Sequence, residues 1–179
     1  MKQLFINVVG HNSSGKTTLA KKLEADLDLN RVSGDDFREF VHTHIAYFKD
    51  TDMSYPNKRY TELNPLVLQY RFDLSWILLR AGQNVLFDGS GATREYRARY
   101  LTQVLEDFPE VTRVIILANV PEQELRDRLE RRGKKWLKQY EDLKKQSFEP
   151  PEKGEAEIVL RYDQHNYDVI KESLEKLLV

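Results

Sequence analysis

A chain of 179 residues is long enough to bury one core and short for two, so a single domain over residues 1–179 is expected. With 40% hydrophobic and 32% charged residues the composition is that of an ordinary globular protein, and a net charge of −1 excludes a surface coated throughout in basic charge for nucleic acid. The absence of cysteine removes disulfides, thiolate zinc sites and cysteine nucleophiles together.

The first element is the apolar run LFINVV, Leu4 to Val9, the pattern of a strand buried on both faces of a parallel sheet. It is short, is interrupted by Asn7 and lacks a small-residue cleavage site, so it reads as neither a signal peptide nor a membrane span. A cytoplasmic location is the default expectation. Leu19, Ala20, Leu23 and Leu27 then fall on one face of a helix over Lys16 to Leu27. Further strands are expected at Arg31–Ser33, Asn84–Asp88, Thr112–Ala118 and Glu157–Leu160, and helices at Asp36–Phe48, Leu66–Ala81, Thr93–Phe108, Pro121–Arg132 and Tyr167–Leu178. Strands alternating with helices imply βαβ crossovers and a parallel sheet. Two stretches break the rhythm: a polar excursion over Lys49–Asn64, and a basic segment with a Pro-Pro exit over Arg131–Glu155. Between Arg126 and Lys145 there are nine Lys or Arg and four Asp or Glu, a local excess of positive charge in a nearly neutral chain.

Between the first strand and the first helix lies GHNSSGKT, Gly10 to Thr17, which meets G-x-x-x-x-G-K-[ST] at every fixed position. Glycines there let successive N–H groups turn inward around an anion, and the helix N-terminus adds partial positive charge. The anion is then a nucleoside triphosphate. Gly10, Asn12, Ser13, Ser14, Gly15, Lys16, Thr17 and Thr18 are expected to hold ATP, with Lys16 on the β/γ-phosphates and the Thr17 hydroxyl on Mg²⁺. His11 occupies a variable position of the loop and has no catalytic role.

A regulatory GTPase is the first rival, because Asp88-Gly89-Ser90-Gly91 matches D-x-x-G. The guanine-reading N-K-x-D is absent, however, since Asn57-Lys58-Arg59-Tyr60 fails at its last position. A motor or AAA-type ATPase would need more chain for its coupling elements. A kinase acting on a hydroxyl needs a carboxylate to take the proton and cations to steady the phosphoryl group in transfer. Asp35 lies just beyond the second strand, at the sheet edge that carries the phosphate loop, and is the candidate base; Asp36 is the candidate helix cap. Asp88 ends an apolar strand at the same edge and is the candidate Mg²⁺ ligand. Arg126, Arg128, Arg131 and Arg132 precede the basic segment, and a lid over about residues 126–155 could close them over bound phosphates. Arg128 and Arg132 share one helix face and are the favoured pair. The bland alternative is a solvated face paired with Glu124, Asp127 and Glu130.

In order, GHNSSGKTT, DDFR, VLFDGSGATREYRARY and NVPEQELRDRLERRG resemble the kinase domain of polynucleotide 5′-hydroxyl kinases. They also resemble the wider P-loop kinase group that includes adenylylsulfate kinases and zeta-toxin-like kinases. The resemblance spans roughly residues 1–133. It implies an α/β P-loop NTPase fold of three α/β/α layers, with about five parallel strands in the order 2-3-1-4-5 and a helical lid. It further implies that Asp35 is the general base, that Arg38 contacts the reacting phosphate and that Arg128 and Arg132 grip the donor. Polynucleotide kinases carry D-T-N where this chain has Asp88-Gly89-Ser90.

The acceptor is open between a nucleic acid 5′ end and a small molecule. Lys58, Arg59, Tyr60, Lys134, Lys135 and Trp136 could serve a strand. His42, His44, Tyr47, Tyr55 and Arg71 could line a closed pocket, and Arg94, Arg97 and Arg99 could receive an anion or form a solvated face. The expectation from the sequence is an ATP- and Mg²⁺-dependent phosphotransferase. A regulatory ATPase without an acceptor is the alternative.

Overall fold

A computed structural model describes residues 2–49, 58–89, 91–133 and 148–178. Tyr55, Ser90, Lys134, Lys135, Trp136 and residues 134–147 of the expected lid lie outside the described residues, as do the side chains of Lys58 and Tyr60. The elements are β1 Leu4–Val9, α1 Lys16–Leu27, β2 Asn30–Ser33, α2 Gly34–His44, α3 Lys58–Arg80 and β3 Val85–Asp88. They continue with α4 Arg94–Asp107, β4 Thr112–Ala118, α5 Glu122–Arg132, β5 Ile158–Tyr162 and α6 Tyr167–Leu178.

The five strands form one parallel sheet in the order β2-β3-β1-β4-β5, as the resemblance implied. All six residues of β1 are buried, which is why it takes the centre. Alternate side chains feed two cores. Leu4, Ile6 and Val8 pack with α1 and α6, whereas Phe5 and Val9 pack with residues of α3 and α4. Asn7 faces the second core and is bonded there at both ends of its amide: the nitrogen donates to the Phe87 carbonyl at 3.0 Å and the oxygen accepts from the Tyr100 hydroxyl at 2.6 Å. The polar interruption of β1 is therefore a satisfied cross-link between strand and helix.

Register sets up the site. Asp88 pairs with Val8 on one side and with Ser33 on the other, so the C-terminal ends of β1, β2 and β3 are level. The phosphate loop, the start of α2 and Asp88 consequently emerge at one edge.

Three expectations shift. Helix α2 starts at Gly34 rather than Asp36, because the Ser33 hydroxyl caps it by accepting from the Asp36 amide at 3.2 Å. It ends at His44, short of the expected Phe48, as Ile45 turns extended. Helix α3 starts at Lys58 and runs through Pro65, so part of the supposed excursion is helical. A proline forgoes one intrahelical hydrogen bond. Leu63 and Val67, one turn apart, are both sealed against Val41 and Phe48, and that burial outweighs the break.

Arg97 also departs from both of its expected roles. It is fully buried, its Nη1 donates to the Gly91 carbonyl at 2.7 Å and the Glu149 carbonyl at 2.8 Å, and its Nε and Nη2 fork onto Glu155 at 2.7 and 2.9 Å. It ties the chain around residues 149–155 to α4, leaving nothing for a ligand. Among the described residues no helix is long and apolar enough to cross a membrane.

Candidate functional site

The phosphate loop is shaped by what cannot fit in it. At Gly10, φ is +149°, and a Cβ would stand 2.5 Å from the Ala118 carbonyl oxygen and 2.8 Å from Ser14 Oγ. Gly15, at φ +94°, is the left-handed residue that opens α1. Ser13 also sits in the left-handed region, at φ +65°, an unfavourable place for a side-chain-bearing residue. Two arginines of α5 hold it there: Arg128 Nη1 donates to its carbonyl at 3.2 Å and Arg132 Nη1 to its hydroxyl at 3.0 Å. The arginines favoured from the sequence thus reach the loop. Arg128 also pairs with Glu124 at 2.6 Å and bonds Gln164, so the helical pairing foreseen as the bland alternative is present in the same side chain.

Lys16 folds back so that Nζ donates to the His11 carbonyl at 2.6 Å. Burial pulls its pKa down to about 8, against the pull of Asp88 and Asp35 toward the charged form; Arg132 pushes it the same way as burial. Thr17 and Thr18 stand exposed at the first turn of α1.

Two cavities meet at this loop. One, of about 660 Å³, runs along Gly15, Thr17, Thr18, Glu124, Arg128 and Arg131. The other, of about 440 Å³, extends from Asn12 past Asp35, Arg38, Arg71 and Asp88. Ser13, Lys16, Thr17 and Arg132 border both.

In the second cavity Asp35 is 82% exposed at the side chain and pairs with Arg38 at 2.9 Å. Arg38 is held from the other side by Asn64, whose Oδ1 accepts from Nη2 at 2.7 Å. Asp36, expected near the cap, instead pairs with Arg31. Asp88 is 5% exposed at the side chain and receives Arg31 Nη1 at 3.1 Å. Burial raises its pKa, and the Arg31 and Lys16 charges offset part of that rise.

Thr17 and Asp88 border the same cavity, which suits Mg²⁺. This ion takes one or two protein oxygens and completes its shell with water and phosphate oxygens, so a hydroxyl and a carboxylate suffice. Among the described residues there is no group of three or more His, Asp or Glu that would form a self-sufficient metal cage.

Arg31, Asn64 and Gln164 were not singled out from the sequence. Each acts through a partner far along the chain, Arg31 across 57 residues to Asp88, Asn64 across 26 to Arg38 and Gln164 across 36 to Arg128, and no local spacing encodes that. Of the pocket candidates, Arg71 lines the second cavity. His44 stacks on Phe40 and contacts its carbonyl at 3.0 Å, and Tyr47 is exposed and donates to Glu62 at 3.1 Å. Arg94 pairs with Glu152, and Arg99 with Glu95 at 2.7 Å.

No curated protein matches the sequence. Solved structures share its fold. A protein from Chloroflexus aurantiacus J-10-fl described as a candidate kinase aligns at a TM-score of 0.78 and 19% identity, over 99% of this chain and 97% of its own. The Mycobacterium tuberculosis APS kinase CysC, in complex with AMPPNP and APS, aligns at 0.61 and 19% identity over 99% and 98%. A sugar kinase from Janibacter sp. HTCC2649 aligns at 0.58 and 21% identity over 98% and 94%. At these identities the likeness is one of fold, and it does not reach the polynucleotide specificity that the resemblance implied. A family profile described as an AAA domain (AAA_33) matches residues 5–151, which include the phosphate loop, Asp35, Asp88 and helix α5; the expectation that an AAA-type chain must be longer is thereby corrected, and the chain belongs to that family.

Proposed function

We propose that the protein is a Mg²⁺-dependent kinase that moves the γ-phosphoryl group of ATP to a hydroxyl of a small molecule. The observation that carries this reading is the pair of cavities sharing Ser13, Lys16, Thr17 and Arg132. A triphosphate lying in the first with its γ-phosphate at Lys16 can be approached through the second by an acceptor beside Asp35, so that donor and acceptor would meet at Lys16, as phosphoryl transfer needs. A nucleotide-binding regulator needs the first cavity alone. The occupants of the APS kinase structure of the same fold, AMPPNP and APS, support this division of the site.

In this mechanism Asp35 takes the acceptor's proton, while Lys16 and Arg38 balance charge on the moving phosphoryl group. Thr17 and Asp88 would hold Mg²⁺, which when bound neutralises charge on the β- and γ-oxygens. Arg128 and Arg132 grip the donor from α5, at the base of a lid over about residues 126–155 whose far end Arg97 ties to α4 through Glu149 and Glu155, and the whole chain acts as one kinase domain. The volume of about 440 Å³ suits a small molecule better than a polynucleotide end. Incubating the protein with Mg²⁺ and γ-labelled ATP against hydroxyl compounds, nucleosides and 5′-hydroxyl oligonucleotides tests the reading. Label is expected on a small molecule. ATP bound tightly with no label on any acceptor would sink the kinase reading, and label on the oligonucleotides would sink the small-molecule acceptor.

The pKa of Lys16 predicts how ATP binding depends on pH. The charged lysine is the binding form, and triphosphate restores its pKa toward the usual lysine range. Above pH 8 the free side chain is mostly neutral, so binding takes up a proton and affinity falls as pH rises. Titration calorimetry in buffers of different ionisation enthalpy should find uptake of about 0.1 proton at pH 7 and about 0.9 at pH 9. Negligible uptake at both values would show that Lys16 is already charged in the free protein.

A further inference from the structure

Arg71 presents a puzzle in the wall of the second cavity. The residue is 6% exposed, and its guanidinium lies over the Phe87 ring, 3.8 Å from the centroid. Nε and Nη2 are closed off from solvent and have no hydrogen-bond partner. The carboxylates that could neutralise it are engaged elsewhere, Asp88 with Arg31 at 3.1 Å and Asp35 with Arg38 at 2.9 Å. A largely buried cation with no ion-pair partner and two of its three nitrogens unbonded is unfavourable for the fold on its own account. The cation–π contact offsets part of that cost.

The chain nevertheless makes room for it. A Cβ on Gly89 would overlap Arg71 Nη2 and stand 2.8 Å from Cζ, and one on Gly34 would stand 3.1 Å from Arg71 Cδ. Glycine at 34 and 89 therefore keeps the path and the end of this side chain clear. What remains exposed of Arg71 opens on the cavity that also holds Asp35 and Arg38.

We propose that Arg71 binds an oxyanion of the acceptor, so that the substrate is a small hydroxyl compound bearing a carboxylate, phosphate or sulfate. This rests on the kinase reading of the site and names its substrate class. Lys16 and Arg38 serve the phosphoryl group in transfer, and Arg71 supplies a separate positive locus for the acceptor's own charge. An oxyanion in the cavity would meet the guanidinium at Nη1, the nitrogen that is not sealed off, through a charge-assisted hydrogen bond that carboxylate, phosphate or sulfate can each accept. An acceptor with an oxyanion neutralises the buried cation. A neutral one leaves it unpaired, and that difference discriminates between them.

The test uses the full chain saturated with Mg²⁺ and AMPPNP, which fills the phosphate loop, and inorganic phosphate as probe. Phosphate should raise the melting temperature of wild type and leave Arg71→Met unmoved. The matched pairs glycerate and glycerol, glucose 6-phosphate and glucose, and adenosine 5′-phosphate and adenosine then serve as acceptors of labelled phosphate. The anionic member of a pair should be preferred, and Arg71→Met should cut kcat/KM for it about 10- to 100-fold, the change expected for one charged hydrogen-bonded contact. Whether the preferred anion is a phosphate or a carboxylate distinguishes the two sources. Gly89→Ala, which displaces the guanidinium, should copy Arg71→Met while AMPPNP affinity is kept. Free of ligands, Arg71→Met should be at least as stable as wild type, since it exchanges an unpaired cation for an apolar side chain.

Equal phosphate responses in wild type and Arg71→Met would overturn the proposal, as would equal labelling of both members of every pair that takes label. A melting temperature several degrees lower for Arg71→Met, with the phosphate response intact, would assign Arg71 to the core and overturn it too. No label on any acceptor, with phosphate still bound through Arg71, would uphold the anion site and reject the kinase reading.

Discussion

Asp35→Asn should leave ATP affinity within about twofold of wild type and lower turnover by about 10²- to 10⁴-fold, the range a positioned general base contributes. The geometry allows so clean a separation. Asp35 is 82% exposed at the side chain, so its charge can be removed without stranding a buried partner. Arg38, its ion-pair partner, keeps the bond to Asn64 at 2.7 Å and stays beside the site. Stability should therefore move by no more than about 0.5 kcal/mol, as for other exposed positions. Binding of a fluorescent ATP analogue, single-turnover transfer to the best acceptor and urea unfolding together check the prediction. Unchanged turnover would remove Asp35 as base; turnover lost together with ATP binding would make it a residue of the donor site.

The place of Asp35 in the second cavity could be read from sequence because the rules that point to it are local. An apolar run, a glycine-rich octamer and an amphipathic helix define the phosphate loop, and the next strand must end at the same edge of a parallel sheet. The strand order came from resemblance, since the apolar runs are much alike and do not name their neighbours. What escaped the sequence depends on contacts between distant segments. Pro65 signalled a helix start, yet Leu63 and Val67 are buried together and the helix runs through it. Arg97 carried the pattern of a surface arginine, yet Glu155 lies 58 positions away and is folded onto it. Arg31 sits in a four-residue strand with nothing nearby to mark it, and its meaning depends on the β2–β3 register that levels Ser33 with Asp88.

Arg31 accordingly carries the largest predicted effect on stability. Its side chain is 6% exposed and bridges three elements, reaching Glu24 on α1 at 2.9 Å, Asp36 on α2 and Asp88 on β3 at 3.1 Å. The pairs with Glu24 and Asp36 are partly exposed and add little. The pair with Asp88 is buried, and breaking it leaves a carboxylate that burial already disfavours. Arg31→Met should therefore cost about 3–5 kcal/mol at neutral pH. The sign of its pH dependence follows from Asp88. Without Arg31 the folded-state pKa of that carboxyl rises further, and the relief from protonating it is complete below the unfolded-state pKa and lost as pH rises through the folded one. The deficit against wild type should shrink as the pH is lowered and be largest at and above neutrality. Arg31→Met combined with Asp88→Asn should recover most of the loss, because the stranded charge is gone. A deficit independent of pH, or one that Asp88→Asn fails to relieve, would transfer the role of Arg31 to packing or to its outer pairs. With the predicted coupling, Arg31 becomes the residue that keeps a buried carboxylate ionised at the sheet edge, the state in which Asp88 could serve Mg²⁺. The rescued double variant should then be folded, bind the triphosphate and remain inactive, which divides the structural part of the pair from the chemical one.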